Sequence, residues 1–347
     1  MSIKILKITD SRAGHIAISD GIISAIQKTH QVEIIVLDIA TRAKIFLRIF
    51  RFILKYNLMY NKFVLNDLFI KIFYKNYHKP YENIDLIVST GGDTLFINTW
   101  LSRILNVKNI FSGSLRGIDP KYFFLILSNL NTKNCINLSI APTQMIDSND
   151  LHNKVEHFCN ENEIDKNSKY FVLLIGGDGG GYKYTKEDYE NLVYSFISLV
   201  KRYNVKALIT TSRRTGIKYE KLLKESFSNY SDNIAYSVYY AENPEKVVAV
   251  YLKLASVVFV TEESGSMITE SLISKKPVFT LSPKIVKEQK QYKLFLDNLV
   301  EQMRINRLSI HADLDGIDLD KFVFKYLEKL PNEELSEKLQ PFLKEIK

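Results

Sequence analysis

The sequence predicts an α/β protein made of two consecutive doubly wound domains with a cleft between them. Three observations carry this reading. Short, β-branched, non-alternating segments recur along the chain, each followed by a helical pattern, as in parallel sheets covered on both faces. They come in two series separated by a polar stretch, and 347 residues is a length for two cores rather than one. Glycine, hydroxyl, arginine and acid clusters fall directly after strands, where open α/β sheets bind ligands.

The first series opens with a strand over Ile3–Thr9, a turn through Asp10–His15, a helix over Ile16–Thr29 and a strand over Val32–Leu37. Asp85–Ser89, Asn109–Phe111 and Tyr122–Leu127 read as further buried strands. These residues, 1–145, form the expected N-terminal domain, and the polar stretch 146–168 is expected as a linker. The second domain, 169–318, starts with strand Tyr170–Ile175, the loop Gly176–Gly181 and a helix over Lys186–Tyr203. Strands Ala207–Thr211, Ile234–Tyr239, Val257–Val260 and Pro277–Leu281 follow, with helical patterns between them. A charged helical segment, 319–347, is expected to return to the first domain.

Apolar residues make up 46% and charged residues 25% of the chain, an ordinary globular composition. Two cysteines, Cys135 and Cys159, are too few for a disulfide framework or a structural zinc cluster. The N-terminus reads as a strand rather than a signal peptide, and no apolar run is long enough to span a bilayer, so a cytoplasmic location is expected. The net charge of +8 is concentrated: between Thr41 and Lys79 nine Lys and Arg face the single acid Asp67, so that segment alone carries +8. Within it Lys44, Arg48, Arg51 and Lys55 lie on one helical stripe, with Ile45, Ile49, Phe52 and Ile53 on the facing one. Such a helix suits an anionic membrane surface or packs its apolar face on the domain. With no nucleic-acid motif accompanying the charge, nucleic acid is not an expected partner.

The loops of the second domain carry the binding chemistry. Gly176 and Gly177 head a strand-to-helix turn in which backbone N–H groups approach phosphate oxygens. Ser212, Arg213, Arg214 and Thr215 follow the next strand, where guanidinium forks and hydroxyls suit phosphate. Glu262, Glu263, Ser264, Ser266 and Met267 precede and open a helix whose N-terminus favours an anion, and Glu270 lies one to two turns on, where a carboxylate accepts from ribose hydroxyls. N-capping accounts for Glu263 and Ser264 but not for Glu270. In the first domain Asp10 and His15 lie between a strand and a helix, and Asp93 follows another strand; these are the candidate catalytic bases. Asp313, Asp315, Asp318 and Asp320 read as turn and cap residues rather than a metal-binding pair of acids.

Glu262 and Glu270 have the spacing of the Glu-x7-Glu signature of many GT-B glycosyltransferases, whose second acid binds the donor ribose. The wider set resembles the glycosyltransferase family named after the plant mitochondrial-fission protein ELM. Asp10–His15, Leu174–Gly177, Ile209–Thr215, Val260–Met267 with Glu270, and Lys276–Val278 carry the resemblance. Relatives open with Asp-Gly-Arg-Pro-Gly-His, where this chain has Ser11 and Ala13 at the second and fourth places. The resemblance implies a GT-B fold with two Rossmann-like domains, and transfer of a sugar from a nucleotide-sugar donor to a surface-glycan, lipopolysaccharide or other lipid-linked acceptor. No metal and no cofactor are expected, the donor being the substrate, with Arg213, Arg214 and helix N-termini meeting the leaving phosphate. A nucleotide-sugar epimerase and a non-catalytic membrane-associated scaffold are the alternatives.

Overall fold

The computed structural model describes residues 2–58, 64, 66–78, 83–128, 134–138, 140–143, 148–287, 289–312 and 316–346. They form two compact units, Met1–Met145 with Lys329–Lys347, and Ile146–Glu328.

The first unit contains β1 (Ser2–Thr9), α1 (Ala13–Gln27), β2 (Gln31–Asp38), β3 (Ala40–Thr41), α2 (Phe46–Lys55), α3 (Asp67–Phe73), β4 (Tyr74–Lys75), β5 (Leu86–Thr90), α4 (Leu95–Leu105), β6 (Lys108–Ser112), β7 (Leu125–Leu127) and β8 (Cys135–Ile136). Six strands form a parallel sheet in the order β2-β1-β5-β6-β7-β8. Strand residues of opposite parity feed two cores, as the pleat requires. Ile3, Ile5, Leu86 and Val88 pack with Ile22, Ile23 and Ile26 of α1, whereas Leu6, Ile8 and Ile87 pack with Phe96, Ile97 and Trp100 of α4. β3 and β4 pair antiparallel and close the base of the excursion that carries α2 and α3.

The second unit contains α5 (Ser148–Glu161), β9 (Tyr170–Leu174), β10 (Tyr182–Lys183), α6 (Lys186–Arg202), β11 (Lys206–Thr210), α7 (Gly216–Ser228), β12 (Ile234–Val238), α8 (Val248–Leu254), β13 (Ala255–Thr261), α9 (Gly265–Ile273), β14 (Val278–Ser282), β15 (Ile285–Val286), α10 (Lys290–Glu301) and β16 (Asn306–Ser309). Its six parallel strands run in the order β12-β11-β9-β13-β14-β16. β9 and β5 are buried along their whole length, which explains their unbroken apolar sequences. α6 starts at a capping box, with Thr185 and Asp188 each accepting from the other's backbone.

Both sheets reverse their direction of winding once. The chain leaves β1 for β2 and returns to β5 on the other side; likewise it leaves β9 for β11 and β12 and returns to β13. The crevices at the carboxyl ends of β1 and β5, and of β9 and β13, are therefore the places this topology prepares for ligands.

Four local readings are corrected. α1 begins at Ala13 rather than Ile16, which puts His15 in its first turn. Residues 146–168 are not a plain linker: they contain α5, whose Phe158 ring packs 5.2 Å from Tyr236 and 5.9 Å from Tyr251. Helix does not begin near Leu319. A single 3-10 turn, Leu319–Lys321, is followed by irregular chain, and the last helix, α11 (Pro331–Leu343), starts at a proline and packs Leu335, Leu339 and Leu343 beside α1. Of the stripe Ile45, Ile49, Phe52 and Ile53 only Ile53 is buried; it is joined by Phe50 and Leu54, because Phe50 stacks on Tyr74 and Phe96 at 5.2 and 4.2 Å.

Candidate functional site

In the first unit the turn between β1 and α1 passes through Ser11 in the left-handed region (φ 58°), with the Ser11 hydroxyl hydrogen-bonded to the Asp38 carboxylate at 2.7 Å. This turn tucks Asp10 inward, its side chain only 4% exposed, and aims it at the first turn of α1. There the Asp10 carboxylate oxygens lie 2.9 and 3.0 Å from His15 Nδ1. Burial works against ionising Asp10, but the hydrogen bond and charge of His15, with help from Arg12, outweigh it and hold the carboxyl below its usual range. An ionised Asp10 can only accept, so His15 Nδ1 carries the proton in the bond between them, and in the neutral imidazole Nε2 keeps its lone pair.

Asp93 arrives from the loop after β5. Its carboxylate accepts from the Arg12 guanidinium at 2.8 Å, and the same guanidinium lies 3.7 Å from Asp10. Asp10, His15 and Asp93 thus converge at the crevice between β1 and β5, with Arg12 bridging the two acids. Both carboxylates are held by partners, whereas His15 Nε2 has no hydrogen-bond partner among the described residues. Arg116, in the strand-following loop Ser112–Gly117 that the sequence offers for shaping an acceptor pocket, has its guanidinium over Gly92, where a Cβ would come within 2.4 Å of it.

Gly91 has φ +93°, and a Cβ there would stand 2.2 Å from the His15 ring. Gly91→Ala is expected to push the imidazole off Asp10 and, by a misplacement of about 1 Å, to lower turnover roughly 100-fold. Overpacking should also cost about 1–3 kcal/mol of stability. Thermal melts and single-turnover assays check this; an alanine variant with unchanged turnover would show that the ring position is immaterial.

In the second unit the crevice between β9 and β13 is occupied by Glu263. Its side chain is fully buried. Glu263 accepts from the Gly177 N–H at 2.9 Å and from the Tyr184 hydroxyl at 2.7 Å, and lies 3.3 Å from the Arg214 guanidinium. Burial raises its pKa, with Arg214, Tyr184 and the Gly177 N–H opposing that shift. The Gly176 N–H donates to the Thr261 hydroxyl at 2.7 Å, and a Cβ on Gly176 would collide with Glu263 at 1.6 Å. These glycines make room for a buried carboxylate. The expected phosphate cradle is corrected accordingly: the N–H groups of Gly176 and Gly177 are spent on Thr261 and Glu263.

Further reassignments follow. Glu263 does not cap α9, and Ser264 at the N-cap makes no side-chain cap bond. Thr215 is buried and donates its hydroxyl proton to the Gly176 carbonyl, so it ties the two loops together rather than facing a ligand. Glu262 is buried and paired with Arg307, and its carbonyl accepts from the Tyr292 hydroxyl at 2.6 Å. Tyr184, Tyr292 and Arg307 were missed in the sequence. Each lies far along the chain from the group it contacts, so no local pattern marks it.

The groups left for a ligand are fewer and better defined. Arg213 is exposed and has no carboxylate partner among the described residues. The Ser212 hydroxyl accepts from the Arg214 N–H at 3.2 Å, which leaves its proton to donate. α9 begins at Gly265 without a capping side chain, so the N–H groups of Gly265, Ser266 and Met267 form an open helix N-terminus. Ser266, exposed, and Glu270 share a face four residues apart. The Glu270 carboxylate has no hydrogen-bond or ion-pair partner among the described residues, and burial alone pushes its pKa up to about 7.

Among the described residues no group of three or more His, Cys, Asp or Glu is placed to hold a metal ion, and Asp313 and Asp315 lie outside them. Asp318 accepts from the Asp320 N–H at 3.2 Å, as a turn residue does.

The fold recurs in solved structures of low identity. A UDP-GlcNAc 2-epimerase from Methanocaldococcus jannaschii superposes with a TM-score of 0.57 at 16% identity, over 99% of this chain and 100% of the other. UDP-GlcNAc 2-epimerase from Neisseria meningitidis, solved bound to UDP-GlcNAc, gives 0.58 at 12%, over 99% and 100%. A glycosyltransferase from Rickettsia africae gives 0.50 at 11%, over 99% of this chain and 94% of that one. These likenesses establish a GT-B arrangement of two parallel-sheet, Rossmann-like domains. No curated protein matches the sequence. The sequence profile of Mitochondrial fission ELM1 matches residues 13–322, most of the chain, and the protein belongs to that family.

Proposed function

We propose that the protein is a glycosyltransferase whose second unit binds a nucleotide sugar and whose first unit supplies the base that activates the hydroxyl of a glycan acceptor. The observation that carries the donor site is Glu270. A carboxylate held out of water with no partner is costly, and adjacent ribose hydroxyls are donors that would satisfy it. On the same helix the open N-terminus favours the diphosphate, and Arg213 adds a mobile cation to receive charge as the leaving group departs. UDP-GlcNAc and UDP are ligands in two structures sharing this fold, which supports a nucleotide sugar as substrate here. His15, oriented by Asp10, is the proposed base, and Arg12 holds Asp93 beside it.

The test is calorimetric titration of the protein with uridine, guanosine, cytidine and adenosine diphosphates. Saturable binding of at least one is expected, weakened roughly 10–100-fold in Arg213→Ala and in Glu270→Ala, the worth of one charged hydrogen bond. Wild-type protein that binds none of them overturns the proposal. Incubation with nucleotide sugars then separates the two chemistries this fold supports. Release of nucleoside diphosphate marks transfer; conversion of the donor sugar without release marks epimerisation and would replace transfer as the reading.

A further inference from the structure

The basic, apolar excursion between β2 and β5 is the part of the first unit that the site does not use. β3 and β4 clamp its ends, and α2 and α3 pack by their inner faces, with the Phe73 ring 4.9 Å from Phe46 and 5.4 Å from Phe50. The outer faces repeat one pattern. On α2 and its flanks Ile45, Ile49, Phe52 and Tyr56 form an apolar ridge in water, Phe52 being 55% exposed. Beside it runs the exposed basic ridge Lys44, Arg48, Arg51 and Lys55. On α3 Leu68 (65% exposed) and Ile72 are flanked by Lys71 and Lys75. Arg42, Lys44, Arg48, Lys55, Lys71 and Lys75 have no carboxylate partner among the described residues.

We infer that this outer face of α2 and α3 docks the protein on an anionic lipid bilayer. The occupant must answer two demands at once. Six exposed apolar side chains on these two helices and their flanks need a non-aqueous phase, and the flanking cations need negative charge at its boundary. A nucleic acid would neutralise the cations but leave Phe52, Leu68 and Ile72 in water. A bilayer surface takes the apolar ridges among its acyl chains while the long basic side chains reach back to headgroup phosphates. α2 also borders a narrow groove lined by Leu47, Phe50, Arg51 and Leu54 and by Gly92, Leu95, Phe96 and Arg116, next to the loop that carries Asp93. Docking would therefore bring a bilayer alongside the helix that borders the loop carrying Asp93. The inference does not depend on the proposed chemistry, since donor binding is read separately by calorimetry.

Sedimentation of the full chain with phosphatidylcholine vesicles, with and without phosphatidylglycerol, tests it. Binding is expected only to the anionic vesicles and is expected to fall as salt is raised. Lys44→Gln, Arg48→Gln and Lys55→Gln together should weaken binding roughly 100-fold, about fivefold per cation. Phe52→Asp should abolish it with an unchanged melting curve, because the side chain packs on no core. Phe52→Trp adds a reporter to the buried Trp100, and its emission should shift to the blue on vesicles. Equal binding to neutral and anionic vesicles, no binding to either, a Phe52→Asp variant that still pellets, or an unshifted Phe52→Trp emission overturns the inference. So does a wild-type protein that binds duplex DNA but not vesicles.

Discussion

Glu270→Gln is expected to make the protein more stable and a poorer nucleotide binder. Burial pushes the Glu270 carboxyl from its ordinary 4.5 up to about 7. Between those values the folded state keeps a proton that the unfolded chain releases, so stability falls as pH rises through the window. Above about pH 7 the full penalty is present; below 4.5 the carboxyl is protonated in both states and there is none. The difference is worth about 3 kcal/mol, and an amide of the same shape should recover most of it. At pH 8 the melting midpoint of the second unit should rise by roughly 5–10 °C, with little change near pH 4. The same substitution removes the acceptor proposed for the ribose hydroxyls, so nucleotide affinity at pH 8 should drop roughly tenfold or more. Binding hydroxyl donors favours the ionised form, so the wild-type protein should release a fraction of a proton on binding nucleotide near pH 6–7, read by calorimetry in buffers of different ionisation enthalpy. A Gln variant that is stabilised yet binds nucleotide unchanged would show that the carboxylate is misplaced for this ligand.

That trade places the second unit's two acids on opposite footings, and the sequence showed only part of the difference. There Glu263 reads as a capping acid and Glu270 as the acid for the ribose, one to two turns on. Three-dimensional contacts separate them: the Glu263 carboxylate is met by Gly177, Tyr184 and Arg214, whereas the Glu270 carboxylate has no hydrogen-bond or ion-pair partner among the described residues. The strands were legible because buried parallel strands are written as unbroken apolar runs, and the loops that follow them were legible from glycine, hydroxyl and charge. What a loop glycine is for was not. Gly176 and Gly177 carry the composition of a phosphate turn, but their crevice is filled by a side chain arriving from β13, more than eighty residues away in the chain. Helix faces failed for a similar reason. The periodicity of α2 marks an apolar stripe through Ile45, Ile49, Phe52 and Ile53, and only the aromatic cluster of Phe73, Tyr74 and Phe96 decides that Phe50 is buried and Phe52 is not.

His15→Ala is expected to abolish turnover while leaving nucleotide binding intact. A positioned general base contributes about 100- to 10,000-fold, and His15 Nε2 is the proton acceptor left open at the crevice of the first sheet. The Asp10 carboxylate, below its usual pKa, fixes the tautomer by accepting from Nδ1. Asp10→Asn preserves shape but permits the amide to donate to Nδ1, which would move the proton to Nε2 and block its lone pair. A loss approaching that of His15→Ala is therefore expected from Asp10→Asn, with the nucleotide dissociation constant unchanged in both. If Asp10 were itself the base, His15→Ala would retain most of the activity, since the carboxylate would still be present and more open to water. Asp93→Asn tests the remaining acid: it loosens the Arg12 clamp, which lies 2.8 Å from Asp93 and 3.7 Å from Asp10, without touching the imidazole. Its effect should be smaller than that of either dyad variant. An Asp93→Asn enzyme as inactive as His15→Ala, with His15→Ala itself active, would transfer the role of base to Asp93.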